Sequence, residues 1–332
     1  MRLKFWIGVG ISAIAVGALV YRTDFGEMAD AFRTAQYGWL LPGVGVALLL
    51  MVIRSWRWGY LLREELRSSF AGRLSATFIG FMANGLLPAR MGEFIRAWCL
   101  GHREGTSKSA VFASIVVERL LDGLWILLYL VAAIRVVPFP DEDAIYWLSR
   151  AGVLSLVLYA GIIVFLVFLR NFPERTLRVL DVCLGPISRR FARKARDTLA
   201  GFIRGIYLPA AWGPILMMVF LTGLLWGFGL GMNYFTLLAF GLDLPWHAPL
   251  VLLVVQAIGV MVPSSPGFVG TFHAASVYGL WFYGVPEGTA FSYSVVVHIV
   301  GFAPVVLVGL VYLWKENLSL GRLAGGREGS PA

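Results

Sequence analysis

Long apolar runs, each closed by a cluster of charge or by Gly and Pro, set the rhythm of this chain. Six of them read as helices that cross a bilayer: Phe5–Tyr21, Gly38–Ile53, Ala110–Ile134, Trp147–Leu169, Trp212–Phe240 and Thr289–Trp314. Several exceed the roughly 18 apolar residues that mark a spanning helix. Two further runs are interrupted. Leu74–Leu100 breaks at N-G-L-L-P-A-R-M-G-E (Asn84–Glu93), and Pro249–Tyr283 breaks at P-S-S-P-G-F-V-G (Pro263–Gly270). Each is read as a helical hairpin that enters the membrane and returns to the same side. Irregular backbone at that depth is tolerated only where it is buried in protein or lines a wet cavity.

Loop charge orients these elements, because Lys and Arg accumulate on the cytoplasmic side. Arg22–Tyr37 carries two arginines against three acids and reads as an outside loop. R-S-W-R-W (Arg54–Trp58) suits a basic, aromatic collar in the headgroup layer, and the loop onward to Arg73 reads as inside. Arg170–Arg204 carries nine basic residues against three acids, the clearest inside loop, and its apolar residues at threes and fours suggest an amphipathic interfacial helix. Asp24, Asp143 and Glu287 are then outside, while Arg63, Arg190 and both termini are cytoplasmic. Met1–Lys4 with its apolar successor has the charge pattern of a signal peptide. No cleavage site closes it, so an uncleaved first span is expected.

The resulting fold is all-α: a polytopic integral membrane protein of about six full spans plus two re-entrant hairpins. One grouping emerges from the orientation. A first unit (about 38–134) and a second (about 210–314) run in opposite directions, joined by a connector (about 135–209). This is an inverted-topology repeat within one membrane domain, a plan that recurs in transporters whose broken segments meet at mid-membrane. Residues 321–332 read as a short disordered tail.

Composition agrees: 58% of residues are hydrophobic and 14% charged, against about a quarter charged in soluble proteins. The net charge of +9 follows from cytoplasmic-side basic residues and does not imply nucleic acid. Cys99 and Cys183 fall near inside segments, so no structural disulfide is expected.

The candidate chemistry lies at the two breaks and in the span after the first. Glu118, Arg119 and Asp122 sit within an apolar helix, where each charge costs about 2.5–3.5 kcal/mol on insertion scales and needs a partner. With Asn84, Arg90, Glu93 and Arg96 they can form a polar cavity in which arginine forks hold a phosphate and carboxylates face a cationic headgroup. The same charges can equally lock to one another as an internal network. Ser264 and Ser265 are placed to bind phosphate or, more simply, to cap the following helix. Gly267 and Gly270, with Pro88, Gly92, Pro263 and Pro266, shape the breaks and free backbone amides for a ligand. His273 and His298 are candidate proton carriers, with packing as the alternative. Asn84, Asn233 and Gln256 suit interhelical hydrogen bonds. No phosphate loop, metal-ligand spacing or nucleophile motif is present, so no cofactor or metal is expected.

At these positions the sequence also resembles a known family. N-G-L-L-P-A-R-M-G-E, S-K-S-A (Ser107–Ala110), V-V-E-R-L-L-D-G-L (Val116–Leu124) and V-P-S-S-P-G-F-V-G (Val262–Gly270) are similar, in order, to the flippase-like family. That family comprises the membrane region of lysylphosphatidylglycerol synthases and its stand-alone relatives. The resemblance covers the chain from about Gly38 to Trp314. It implies movement of a lipid headgroup between leaflets of a bacterial or archaeal cytoplasmic membrane, without the synthases' soluble transferase domain. Membrane lipids are the expected partners, with a second copy or an envelope-biosynthesis protein as further candidates. Two other functions fit the residues: a lipid-headgroup transferase using Glu93 or Glu118 as base, and a non-catalytic partner of an envelope synthase.

Overall fold

A computed structural model describes residues 2–319 apart from 63–65, 67, 88, 89, 138–141, 187, 208 and 263. Pro88, Pro263 and the tail 321–332 therefore lie outside the described residues. The described chain is all-helical: α1 (Arg2–Arg22), α2 (Phe25–Thr34), α3 (Leu40–Leu61), α4 (Phe70–Leu86), α5 (Gly92–Arg103), α6 (Lys108–Val136) and α7 (Glu142–Asn171). There follow α8 (Pro173–Leu184), α9 (Arg189–Gly205), α10 (Trp212–Ala239), α11 (Ala248–Met261), α12 (Thr271–Trp281) and α13 (Glu287–Lys315). Side-chain caps start several of them. Asp24 accepts from Gly26 N–H, Ser69 from Gly72 N–H, and Ser188 from Phe191 N–H, each satisfying an orphan donor of a first turn.

Four helical stretches are long and apolar enough to span a membrane unaided: Tyr37–Leu61, Gly152–Asn171, Trp212–Ala239 and Glu287–Lys315. The bent pair Gly8–Tyr21 and Phe25–Thr34, at 88°, adds one more if counted as a single span. α6 has the length, at 29 residues, but Glu118, Arg119, Asp122 and Arg135 interrupt its apolar run. Three sequence expectations change. Arg22–Tyr37 is not a loop, because Asp24 caps α2 within it. Arg170–Arg204 forms two amphipathic helices, α8 and α9, not one. R-S-W-R-W is no surface collar: α3 continues to Leu61, and Arg57 and Trp58 are wholly buried with Arg54 nearly so. Those arginines turn inward to carboxylates on α6.

Two helical hairpins organise the interior. α4 and α5 pack together, and Glu104 accepts from the backbone and hydroxyl of Ser69, which closes their feet. Gly92 permits the closeness near the turn, since a Cβ there would strike the Gly80 carbonyl and Asn84. α11 and α12 form the second hairpin, with His247 Nδ1 against the Tyr283 hydroxyl at its feet, 2.9 Å. The hairpins approach from opposite ends of α13. Glu316, just past its C-terminus, accepts from Arg103 (2.5 Å) and Ser75 at the first hairpin, whereas the second hairpin leads directly into its N-terminus. Packing repeats as well. α3 and α10 pack on each other, and α4 on α13 is matched by α11 on α6; α5 on α6 is likewise matched by α12 on α13.

Candidate functional site

Around the middle of α6 lies a buried charge cluster. Glu118 accepts from Arg96 at 3.0 Å, with a second ion-pair contact between them at 2.9 Å, and meets Arg57 at 3.3 Å and Arg119 at 2.7 Å. Asp122 takes Arg57 at 2.6 Å, Arg54 at 3.3 Å and Arg119 at 3.4 Å. Arg57 also donates to the Thr222 hydroxyl on α10, 3.0 Å, and the Arg96 guanidinium stacks 3.8 Å over Trp58. Helix periodicity explains the convergence. Glu118 and Asp122 are one turn apart on α6, and Arg54 and Arg57 lie three apart on α3, so each pair presents one face. Arg119 reaches on to Glu93 of α5 at 3.8 Å. Four guanidiniums thus meet three carboxylates. The Nε groups of Arg54, Arg57 and Arg96 have no hydrogen-bond partner.

Against this cluster lies a cavity of about 230 Å³, walled by Asn84, Arg90, Glu93, Arg119, Phe81 and Phe268 among others. The site residues therefore divide. Arg90, Glu93, Arg119 and Asn84 face the cavity, while Arg96, Glu118 and Asp122 are buried behind it. Asn84 also bridges the first hairpin, accepting from Gly92 N–H at 2.9 Å.

The two hairpin tips touch here. Arg90 donates to the Val260 carbonyl at 2.5 Å and sits 5.2 Å from the Phe268 ring centroid. That carbonyl belongs to the last turn of α11, whose acceptors lack intrahelical donors and favour a cation. Both tip residues hold positive φ, 52° at Arg90 and 60° at Phe268. Such conformations cost on the order of 1–3 kcal/mol and collect at ligand clamps and switches. Gly267 (φ 71°) and Gly270 (φ 94°) supply the remaining left-handed turns.

Ser264 and Ser265 do not cap α12. Gly270 is its N-cap, Gly270 N–H donates to His273 Nδ1 (3.3 Å), and Ser265 N–H donates to Ser12 of α1 (2.8 Å). The Ser264 hydroxyl is buried without a partner. His273 and His298 meet edge to face, 4.8 Å between centroids, beside Phe272 and Phe302; Phe302 itself walls the cavity. The histidines thus stand one aromatic layer behind it.

Sequence reasoning missed Arg54 and Arg57 as cluster members. Their spacing of three on an apolar helix, with exposed Trp56 between them on the other side, was the available signal. Cys99 is buried, Cys183 exposed, and both are free. Among the described residues, no three His, Cys, Asp or Glu side chains come together as metal ligands.

Residues 5–309, which include both hairpins and the whole cluster, match the family model described as the lysylphosphatidylglycerol synthase TM region. The chain belongs to that family. Similar proteins include a UPF0104 membrane protein of Methanothermobacter thermautotrophicus, 22% identical over 93% of this chain and 95% of the relative. A UPF0104 membrane protein of Pyrococcus horikoshii is 21% identical over 96% and 98%. The glycosyltransferase AglD of Haloferax volcanii is 24% identical over 96% of this chain but only 55% of that protein. No solved structure matches. Family membership and the apolar helices make this a multi-pass membrane protein.

Proposed function

We propose that this chain is a lipid translocator that passes a phosphate-bearing headgroup through the cavity between its hairpin tips. The observation that carries this reading is the charge surplus at that cavity. Arg90 and Arg119 share its wall with a single carboxylate, Glu93, and the cluster behind Arg119 already sets four guanidiniums against three carboxylates with Glu93 counted. Uncompensated positive charge inside a membrane is costly, and an arginine fork matches a phosphate in charge and shape. Glu93, on the same wall, can take the amine of a zwitterionic headgroup. In this reading six crossings and two re-entrant hairpins form an inverted repeat, both termini are cytoplasmic, and the tips meet near the mid-plane. His273 and His298 would carry any proton coupling.

The AglD match favours a second reading, in which the membrane unit serves a transferase reaction on an envelope lipid or glycan. Glu118 is then a poor base, since arginines occupy both its oxygens, and Glu93 is the candidate. Purified protein in liposomes, with a leaflet-resolved lipid assay, separates the two. Arg90→Ala and Arg119→Ala are expected to slow translocation at least about tenfold, the loss of roughly one charged hydrogen bond. Their melting temperatures in detergent are read alongside. Unchanged translocation in both variants would sink the proposal, and a lipid product of altered mass would move the assignment to the transferase.

A further inference from the structure

A second space opens beside the charged cavity, and its lining is almost wholly apolar. This cleft of about 370 Å³ lies between α6, α7 and α11, with Ile126, Leu127 and Leu130 on one wall and Val254, Ile258 and Met261 on the other. Residues of α6 and α11 border both spaces. On α6, Arg119 faces the cavity and Gly123, Ile126 and Leu130 continue the same helical face into the cleft, at steps of four, three and four. At the end of α11, Val260 faces the cavity while Met261, and Val262 just past the helix, face the cleft.

Polarity falls along this path. Arg119 stands at one end, and the Tyr159 hydroxyl of α7 follows, filling the place where a Cβ on Gly123 would sit. Leu127, Leu130 and Val254 close the far end. Ile258, Met261 and Val262 remain exposed, so the protein leaves the cleft open along its side. A charged pocket beside an open apolar slot has the polarity of a lipid: phosphate at one end, hydrocarbon beyond.

We infer that this cleft holds the hydrocarbon tail of the same lipid whose phosphate sits at Arg119 and Arg90. The inference rests on the translocator reading for its cargo, and it adds the route. The headgroup enters the cavity from the side, between α6 and α11, and the tail stays in the bilayer throughout. Gly123 matters because any side chain there would collide with Tyr159, which lines the cleft. The pathway needs no end-to-end pore wide enough for a whole lipid.

The test uses full-length protein in nanodiscs containing a phospholipid with a diazirine at mid-chain, with labelled residues mapped by mass spectrometry. Labelling of Ile126, Leu127, Ile258 and Met261 is expected, and Arg119→Ala should lower it about tenfold by releasing the headgroup. Labelling of the exposed α7 face at Val157 and Val164 should not change. Equal cleft labelling in wild type and Arg119→Ala means bulk bilayer lipid only, and overturns the inference. So does an absence of cleft labelling while α7 is labelled. Ile258→Trp, at an exposed position, provides a second arm: it should cut cleft labelling and slow translocation several-fold. Arg119-dependent labelling without translocation would remove the translocator reading and leave the cleft as a lipid site. Arg119-dependent translocation with Arg119-independent labelling would do the reverse.

Discussion

Two polar junctions are buried in this protein, one around α6 and one around α10 and α11, and they are built from opposite chemistry. In the first, Arg54, Arg57 and Arg96 converge on Glu118 and Asp122. In the second, Gln256 of α11 donates to Asn233 of α10 (2.9 Å) and contacts Ser276 of α12 (3.2 Å), while the Tyr293 hydroxyl of α13 donates to Asn233 (2.7 Å). Both join several helices at nearly complete burial. The neutral junction closes on itself, since Asn233 Oδ1 receives both donors. The charged junction stays open. It carries a cation in excess and unpartnered Nε groups, and Arg119 extends it to the cavity with 37% of its side chain exposed. A network that balances internally serves as a fastener; one that does not balance has something left to offer a ligand.

The sharpest way to break this contrast is Glu118→Gln. It leaves Arg57 and Arg96 buried beside a neutral amide, and breaking such a pair typically costs about 3–5 kcal/mol. We expect a large drop in melting temperature and in membrane yield, in contrast to the cavity-wall variants Arg90→Ala and Arg119→Ala. Glu118→Gln protein of wild-type stability would show that the cluster does not hold the fold. Gln256→Leu probes the neutral side. It deprives Asn233 of one donor, for a loss of about 1–3 kcal/mol, with translocation per folded molecule unchanged. A translocation defect exceeding the stability loss would erase the functional distinction between the junctions. Tyr293→Phe is the mildest, because Asn233 keeps its bond from Gln256. About 0.5–1.5 kcal/mol is expected, read as a small shift in thermal unfolding.

Much of this was legible in the residues. Gly and Pro interrupting apolar runs marked both hairpin turns, because Pro removes a helix donor and Gly can adopt positive φ. The step of three or four among Glu118, Arg119 and Asp122 announced a shared helical face. α2 was legible in principle through Asp24, but reading Arg22–Tyr37 only for its charge concealed the cap. Loop charge likewise placed Arg54 and Arg57 outside the apolar run, since an arginine at the end of such a run looks the same whether it snorkels to the headgroups or pairs inward.

By itself, then, the sequence determined that the chain is helical and membrane-embedded, where it breaks, and that Glu118, Arg119 and Asp122 enter the apolar layer. These follow from local periodicity and from the cost of unpaired backbone and charge in hydrocarbon. Tertiary structure alone decided partnership. Arg57 meets Asp122 across 65 residues of chain, and Arg90 meets Val260 across 170. Whether an arginine is a fastener or a ligand's partner depends on how many carboxylates the fold brings within about 4 Å of it, a count that no local pattern contains.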